Sequence, residues 1–396
     1  MDALLAHAAT DVGRVRDHNE DAYWVDPKLG AFAVCDGMGG HAAGEVASAL
    51  AIQVVRDAWT SRAFRAAVDA YAREADADRR RALLAAVRSA VARAHDAIRD
   101  AARADPERAG MGTTFTGFVC AGGDAVFAHA GDSRAYLVRD GIAMQLTEDH
   151  TVVARLAAAG LGSGAPGYDP ARWQGVLTNA LGIGDRVRVA TFVVPMAPVD
   201  RFVLCSDGVT EYVAEAEIGE IVARGPSPAR SAQALVDAAV TRGGADNATA
   251  VVVKVLEVDP TPVPRDERER DEAILAASPL LGGLSPQQRL RALRIALPQR
   301  FDAGRAIPPV ALGDRVAYLV LDGAARLPGG DLVRAGDLLY ARALAGGPAP
   351  AEAARAQTAV KLLAIRRDDF AELAADDEEL GVKLYDALAD ITGSGE

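Results

Sequence analysis

Two glycine-containing turns constrain this chain most. Asp140-Gly141 separates the apolar run Ala135–Val138 from the residues beginning at Ile142, and Gly122-Gly123-Asp124 separates Thr113–Cys120 from Ala125–Ala130. Such short turns between β-rich runs are hairpin signals. Further runs of the same texture are Ala31–Cys35, Phe202–Cys205 and Ala250–Val258. Between them Leu84, Val87, Val91, Ala94 and Ile98 recur at steps of three and four, which predicts an amphipathic helix. His95 lies beside that stripe and reads as structural. Hairpin-joined strands with helices gathered between them indicate an α+β fold with antiparallel sheets rather than a doubly wound one.

The 396 residues exceed one typical core, and hydrophobic residues at 50% exclude compositional disorder. The net charge of −12 argues against sequence-independent nucleic-acid binding, so an anionic substrate must meet a local basic or metallic site. Cys35, Cys120 and Cys205 each end an apolar run and read as buried thiols, which favours a reducing cytoplasm. The start lacks the pattern of a signal peptide and no long uncharged apolar stretch follows, so the expectation is a soluble cytoplasmic protein without membrane or nucleic-acid partners.

Asp259–Asp271, with three prolines and the charge run Arg265–Asp271, reads as a linker between a domain at 1–258 and a second at 272–396. Beyond it, Ser285-Pro286 with Gln288 forms a capping box that predicts a helix to about Leu297. Short runs from Phe301 to Ile365, broken by Gly-Asp, Asp-Gly and Gly-Gly pairs, read as a small β-barrel or sandwich, and helix returns from Asp368 to Ile391.

The chemistry gathers at strand ends. Phe32-Ala33-Val34-Cys35-Asp36-Gly37 and Phe202-Val203-Leu204-Cys205-Ser206-Asp207-Gly208 finish alike, and each delivers a carboxylate at a sheet edge beside bare glycine backbone. Asp246 precedes the last strand of the domain, Asp132 follows another, and Glu20-Asp21 pair near the amino end. Taken singly, an Asp-Gly is usually only a turn. Together, without a competing His/Cys cluster, these oxygens suit Mg²⁺ or Mn²⁺. Two such ions about 4 Å apart could lower the pKa of a water and aim it at phosphorus. Arg16 offers a planar fork for phosphate oxygens, its alternative being a surface pair with Asp17 or Glu20.

Six segments in order, Gly13–Asp21, Asp36–His41, Gly110–Thr114, Gly131–Arg134, Ser206–Gly208 and Asp246–Thr249, closely resemble the motifs of the bacterial metal-dependent (PPM, type 2C) serine/threonine phosphatases. The resemblance implies a four-layer αββα sandwich of two antiparallel sheets flanked by helix pairs. It implies that Asp36 bridges two metals, that the Gly37 carbonyl ligates one, and that Asp207 and Asp246 ligate the other. It further implies that Glu20 and Asp21 hold metal-bound waters, that Asp132 helps bind a third, looser metal, and that Arg16 takes the substrate phosphate. Many members carry a general-acid His where this chain has Met38; His41 is the candidate acid here, and a metal-bound water is the other. The stretch Glu148–Leu181, where bacterial relatives carry a flap, has an unusual middle with Gly160, Gly162, Gly164 and Gly167.

The second domain is similar to the cyclic-nucleotide-binding family, a β-roll flanked by helices, in its turns at Phe301–Gly304, Gly313-Asp314 and Gly336-Asp337 and in Tyr318–Gly323 and Leu362–Phe370. Tyr340-Ala341 stands where that family's cassette has Gly-Glu, and neither Arg342 nor Arg355 is in register for a cyclic phosphate. The expectation is a domain that regulates or docks through an unknown ligand or partner.

The leading function is Mg²⁺/Mn²⁺-dependent hydrolysis of phosphoserine and phosphothreonine in proteins phosphorylated by a serine/threonine kinase. A pseudophosphatase or scaffold acting through the carboxy-terminal domain is the alternative, and a phosphatase of small monoesters is a third. A pseudoenzyme should have lost a ligand, whereas Asp36, Asp207 and Asp246 are all present.

Overall fold

The computed structural model describes residues 3–39, 43–158, 173, 175–258, 263–311 and 313–393. It divides into two compact units, Met1–Ala75 with Ala82–Pro262, and Asp76–Arg81 with Val263–Glu396.

In the first unit the strands are β1 (Leu4–Asp11), β2 (Asp21–Asp26), β3 (Ala31–Met38), β4 (Gly112–Thr113), β5 (Phe115–Ala121), β6 (Asp124–Ala130), β7 (Arg134–Arg139), β8 (Ile142–Gln145), β9 (Ala190–Pro195), β10 (Arg201–Cys205) and β11 (Ala248–Val255). The helices are α1 (Ala43–Thr60), α2 (Arg62–Arg73), α3 (Ala77–Ala104, of which the residues from Ala82 belong to this unit), α4 (Val152–Ala158), α5 (Asp207–Thr210), α6 (Glu215–Arg224) and α7 (Pro228–Arg242). One sheet runs β1-β11-β10-β7-β8 and the other β2-β3-β5-β6-β9, with β4 paired to β3, and every pairing is antiparallel. Both expected hairpins form: β7 and β8 meet across Asp140-Gly141, both at positive φ, and β5 and β6 across Gly122-Gly123.

Aromatic rings fill the space between the sheets. Phe202 of β10 lies 5.1 Å from Phe118 and 5.7 Å from Phe127 of the opposite sheet, and Phe127 stacks on Phe192 at 4.8 Å. The outer face of the second sheet packs on α1–α3 through Trp59, Tyr71, Val87, Val91 and Ile98, and that of the first on α6 and α7 through Ile218, Val222, Leu235 and Val236. Helices, sheet, sheet and helices therefore stack in that order, each face burying its apolar alternation. His95 is buried on α3, where its Nδ1 accepts from the Gly182 N–H at 3.1 Å. Cys35 and Cys205 are buried, Cys120 is half-buried, and all three are free.

The second unit contains α8 (Arg265–Ala277), α9 (Pro286–Leu293), β12 (Ala296–Phe301), β13 (Ala306–Ile307), β14 (Val310–Ala311), β15 (Asp314–Asp322), β16 (Ala324–Arg326), β17 (Leu332–Arg334), β18 (Leu338–Leu339), α10 (Ala341–Leu344), β19 (Ala354–Ala356), β20 (Val360–Arg366), α11 (Arg367–Asp376) and α12 (Glu378–Gly393). One sheet runs β12-β20-β15-β14 with β18 on β15, the other β13-β19-β16-β17. Two sequence expectations need correction. The charge run Arg265–Asp271 is helical rather than linker, because Arg265 pairs with Glu269 one turn on while Glu267 and Asp271 both bind the buried Lys361 ammonium. The helix that starts at the Ser285–Gln288 capping box stops at Leu293 rather than Leu297, since Pro298 turns its predecessor away from helix and Ala296–Phe301 pairs with β20 instead. Pro298 is tolerated because β12 is an edge strand. Among the described residues no helix is long and apolar enough to cross a membrane.

Candidate active site

Pairing in the sheets brings the acidic residues together. Asp21 lies directly opposite Asp36 across β2 and β3, and the Gly37 N–H donates to the Glu20 carbonyl at 3.1 Å. Thr114 holds the main chain of Asp36 from both sides, its N–H donating to the Asp36 carbonyl at 2.9 Å and its Oγ1 accepting from the Asp36 N–H at 2.8 Å. The same Oγ1 is 2.7 Å from Ser133 Oγ, next to Asp132. From the other sheet comes Asp207, following Ser206, whose hydroxyl donates to Asp21 Oδ2 at 2.8 Å and accepts from the Thr249 N–H at 3.0 Å. Ser206 stands at the N-cap of α5 yet does not cap it. Its hydroxyl oxygen accepts from the Thr249 N–H instead.

The glycines after Asp36 and Asp207 serve close approach between backbones. A Cβ on Gly37 would lie 2.2 Å from the Gly44 carbonyl oxygen, and one on Gly208 would lie 2.0 Å from that of Asn247. What the bare backbone admits is thus the neighbouring main chain.

Asn247 fastens the amino-terminal loop. Its Oδ1 accepts from the Glu20 N–H at 2.8 Å, and its Nδ2 donates to the carbonyls of Val12 and His18, both at 2.9 Å. Beside it, Arg16 Nη2 donates to Asp246 Oδ2 at 2.7 Å. Arg16 therefore pairs with Asp246, in place of the Asp17 or Glu20 partner considered from the sequence.

Electrostatics mark the cluster as short of positive charge. Burial pushes Asp36 well above the usual carboxylate range, and the charges of Asp21, Asp207 and Asp132 push it further. Asp21 rises to about 7, from burial first and Asp207 and Asp246 next, against the hydroxyls of Thr249 and Ser206 that favour its charged form. Asp132 likewise reaches about 7 through burial and the charges of Asp207 and Asp149. Glu20 and Asp207 are raised mainly by burial. Asp21 Oδ1 is buried without a hydrogen-bond partner.

These observations fit hard cations. The donor set is oxygen only, it carries excess negative charge, and one buried oxygen is orphaned. Among the described residues no group of three or more acidic, His or Cys side chains is placed to hold a metal ion, so a Mg²⁺ or Mn²⁺ ion here would have to keep several waters. The sequence-derived residues Arg16, Glu20, Asp21, Asp36, Gly37, Asp132, Asp207 and Asp246 all fall among the described residues, whereas His41 and Gly160, Gly162, Gly164 and Gly167 lie outside them. Sequence reasoning gave no role to Thr114, Ser206 or Asn247, although each stands inside a quoted motif; only their side-chain hydrogen bonds reveal them.

Comparison with known proteins agrees with this geometry. The profile of the family described as Protein phosphatase 2C matches residues 13–160. Serine/threonine phosphatase stp of Listeria innocua is 35% identical over 260 residues, 63% of this chain and 96% of that protein. Serine/threonine protein phosphatase PstP of Mycobacterium tuberculosis is 36% identical over 257 residues, 65% of this chain and 46% of that one. The crystal structure of the PstP catalytic domain in complex with two manganese ions is 34% identical, covers 64% of this chain and 99% of that one, and superposes with a TM-score of 0.54. The chain belongs to the protein phosphatase 2C family. It is a serine/threonine protein phosphatase of the Mg²⁺- or Mn²⁺-dependent class.

Proposed function

We propose that residues 1–258 hydrolyse phosphoserine and phosphothreonine in cytoplasmic proteins modified by a serine/threonine kinase. Mg²⁺ or Mn²⁺ would be held by Asp36, which would serve two ions, with the Gly37 carbonyl as a further ligand of one and Asp207 and Asp246 as ligands of the other. Glu20 and Asp21 would hold metal-bound water, and Asp132 would help bind a third ion. The observation that carries this reading is the meeting of Asp21 and Asp36 with Asp207 from the opposite sheet, with Asp21 Oδ1 left unpaired. Bound cations supply charge neutralisation and a water acidic enough to attack phosphorus. Arg16 grips the phosphate oxygens and fixes the ester for attack. His41, or a water, returns the proton to the leaving alkoxide.

Asp36→Asn should lower turnover of a phosphothreonine peptide by 100-fold or more at saturating Mn²⁺, because a neutral amide cannot offset two cations. Calorimetry should show weakened Mn²⁺ binding in the same variant. Near wild-type turnover would refute the bridging role.

The second unit, from Val263 onward, we read as a β-roll of the cyclic-nucleotide-binding kind that regulates or docks the phosphatase without a cyclic nucleotide. Tyr340 supports this. It occupies the cassette's Gly-Glu position with φ +59°, and its hydroxyl donates to the Ile307 carbonyl at 2.7 Å while accepting from the Ala354 N–H at 2.6 Å. The phenol thus takes up polar groups facing the interior of the roll. Comparing peptide turnover by the full chain and by a chain ending at Val258 tests the regulatory role, which equal kinetics in both would exclude.

A further inference from the structure

We infer that His150 is a positioning residue for Asp132, an inference that rests on the proposed metal role of Asp132. His150 is buried and closes both main-chain polar groups of Gly131, the residue before Asp132. The Gly131 N–H donates to His150 Nδ1 at 3.0 Å, and the His150 N–H donates back to the Gly131 carbonyl at 2.8 Å. Gly131 itself has no freedom to be replaced: its φ is +115°, and a Cβ would lie 2.6 Å from the Thr114 side chain.

The same imidazole nitrogen takes a second donor. Asn179 Nδ2 lies 2.9 Å from His150 Nδ1 and also donates to the Arg188 carbonyl at 2.9 Å. The Thr178 N–H donates to the His150 carbonyl at 2.8 Å. Three residues further, Leu181 exchanges hydrogen bonds of 2.8 and 3.0 Å with Thr113, whose hydroxyl donates to the Asp36 carbonyl at 2.9 Å. His150 thereby stands between the turn that presents Asp132 and the return segment braced against Asp36.

Two N–H donors on one ring nitrogen require that nitrogen to be unprotonated, which assigns the neutral Nε2–H tautomer. The ring is further confined by His129, 4.8 Å away between centroids, which bonds through its own nitrogens to Thr116 Oγ1 and the Glu148 carbonyl. Among the described residues the Gly131 N–H donates to His150 Nδ1 and to no other side chain. An outer partner of this kind fixes a ligand's direction, and its loss weakens metal affinity or activity by about 10- to 100-fold.

The test is a double-mutant cycle in the full chain. His150→Phe, which keeps a ring but removes the acceptor, is combined with Asp132→Asn, and both kcat/KM on a phosphothreonine peptide and the Mn²⁺ calorimetric isotherm are read. His150→Phe should cost about tenfold or more in kcat/KM and weaken the loosest Mn²⁺ step, and should cost less than about twofold once Asp132 is already Asn. His150→Asn, which can place an oxygen near the Nδ1 position, should retain most activity, while His150→Gln, whose oxygen is displaced by a methylene, should not; this pair serves if the Phe variant does not fold. Equal losses in both Asp132 backgrounds, an unchanged isotherm, or indistinguishable Asn and Gln variants would overturn the positioning role. An Asp132→Asn protein identical to wild type would overturn the Asp132 assignment and the inference with it.

Discussion

Arg16 and Asp246, separated by 230 positions in sequence, are joined by a 2.7 Å hydrogen bond from Nη2 to Oδ2. One is assigned to phosphate and the other to metal, so in this arrangement each neutralises the other. With side chains 48% and 31% exposed, the pair is worth no more than about 1 kcal/mol and is readily exchanged for ligands. Arg16→Lys should therefore lower kcat/KM by about tenfold or more, since one arm of a charge-assisted fork contributes roughly 1.5–3 kcal/mol. Mn²⁺ affinity should shift less than about fivefold. Unaltered peptide kinetics would assign phosphate to another cation.

The metal-free protein should become less stable as pH rises. Asp21 and Asp132 both titrate near 7 in the folded state, against 3.8 for free carboxyls, so folding favours their protonated forms. Their contribution is present in full below about pH 4 and is lost as pH climbs through about 7. Thermal melts in chelator between pH 5 and 8 should show a falling Tm, and saturating Mn²⁺ should abolish the fall. A rising Tm in chelator would contradict the charge-excess description.

Much of the site was legible because strand ends are. Asp36 and Asp207 each close an apolar run, and β-rich runs announce themselves. The strands Leu4–Asp11, Asp21–Asp26 and Ala190–Pro195 did not, since Leu4–Asp11 is rich in alanine with His7 and Asp11, and Asp21–Asp26 has acids at both ends. Their pairing is decided by β11, β3 and β6 rather than by their own local pattern. Arg265–Asp271 misled for the opposite reason: its charges look unable to pack until Lys361 arrives from far along the chain.

Val199 offers a gain in stability. It sits at φ +69° in the turn Ala197-Pro198-Val199-Asp200, where the Asp200 N–H donates to the Ala197 carbonyl at 3.2 Å, and its side chain is largely exposed. A β-branched residue there carries about 1–2 kcal/mol of strain that Asn tolerates better. Val199→Asn should raise stability by about 1 kcal/mol, or Tm by roughly 2–4 °C, without changing kcat. An unchanged or lower Tm would show that the isopropyl group has a packing role.

Ser206→Ala should impair metal binding more than folding. The variant removes the hydroxyl that donates to Asp21 Oδ2 and accepts from the Thr249 N–H, leaving both poorly satisfied. A loss of about 10- to 100-fold in Mn²⁺ affinity is expected by calorimetry. Ser206→Cys, with a weaker donor, should fall between. Wild-type affinity in the Ala variant would relieve Ser206 of any part in orienting Asp21.

Calorimetric titration of the full chain with cyclic AMP and cyclic GMP should give no saturable binding with Kd below roughly 10 μM, about −7 kcal/mol. A cyclic phosphate placed at Tyr340 would displace its hydroxyl from Ile307 and Ala354. Saturable binding would make the protein nucleotide-gated.

The phenylalanine layer between the sheets acts as a spacer gauge. Asp36 is carried by one sheet and Asp207 follows a strand of the other, and Phe118, Phe127 and Phe202 pack between those two sheets. Trimming one ring would let the sheets settle closer by a fraction of an ångström, a change small for a core but large for two groups proposed to share an ion. The tolerance of this enzyme to substitution is then narrowest at a place with no chemistry of its own, and a screen scored on melting temperature alone would pass variants whose aim had already been lost.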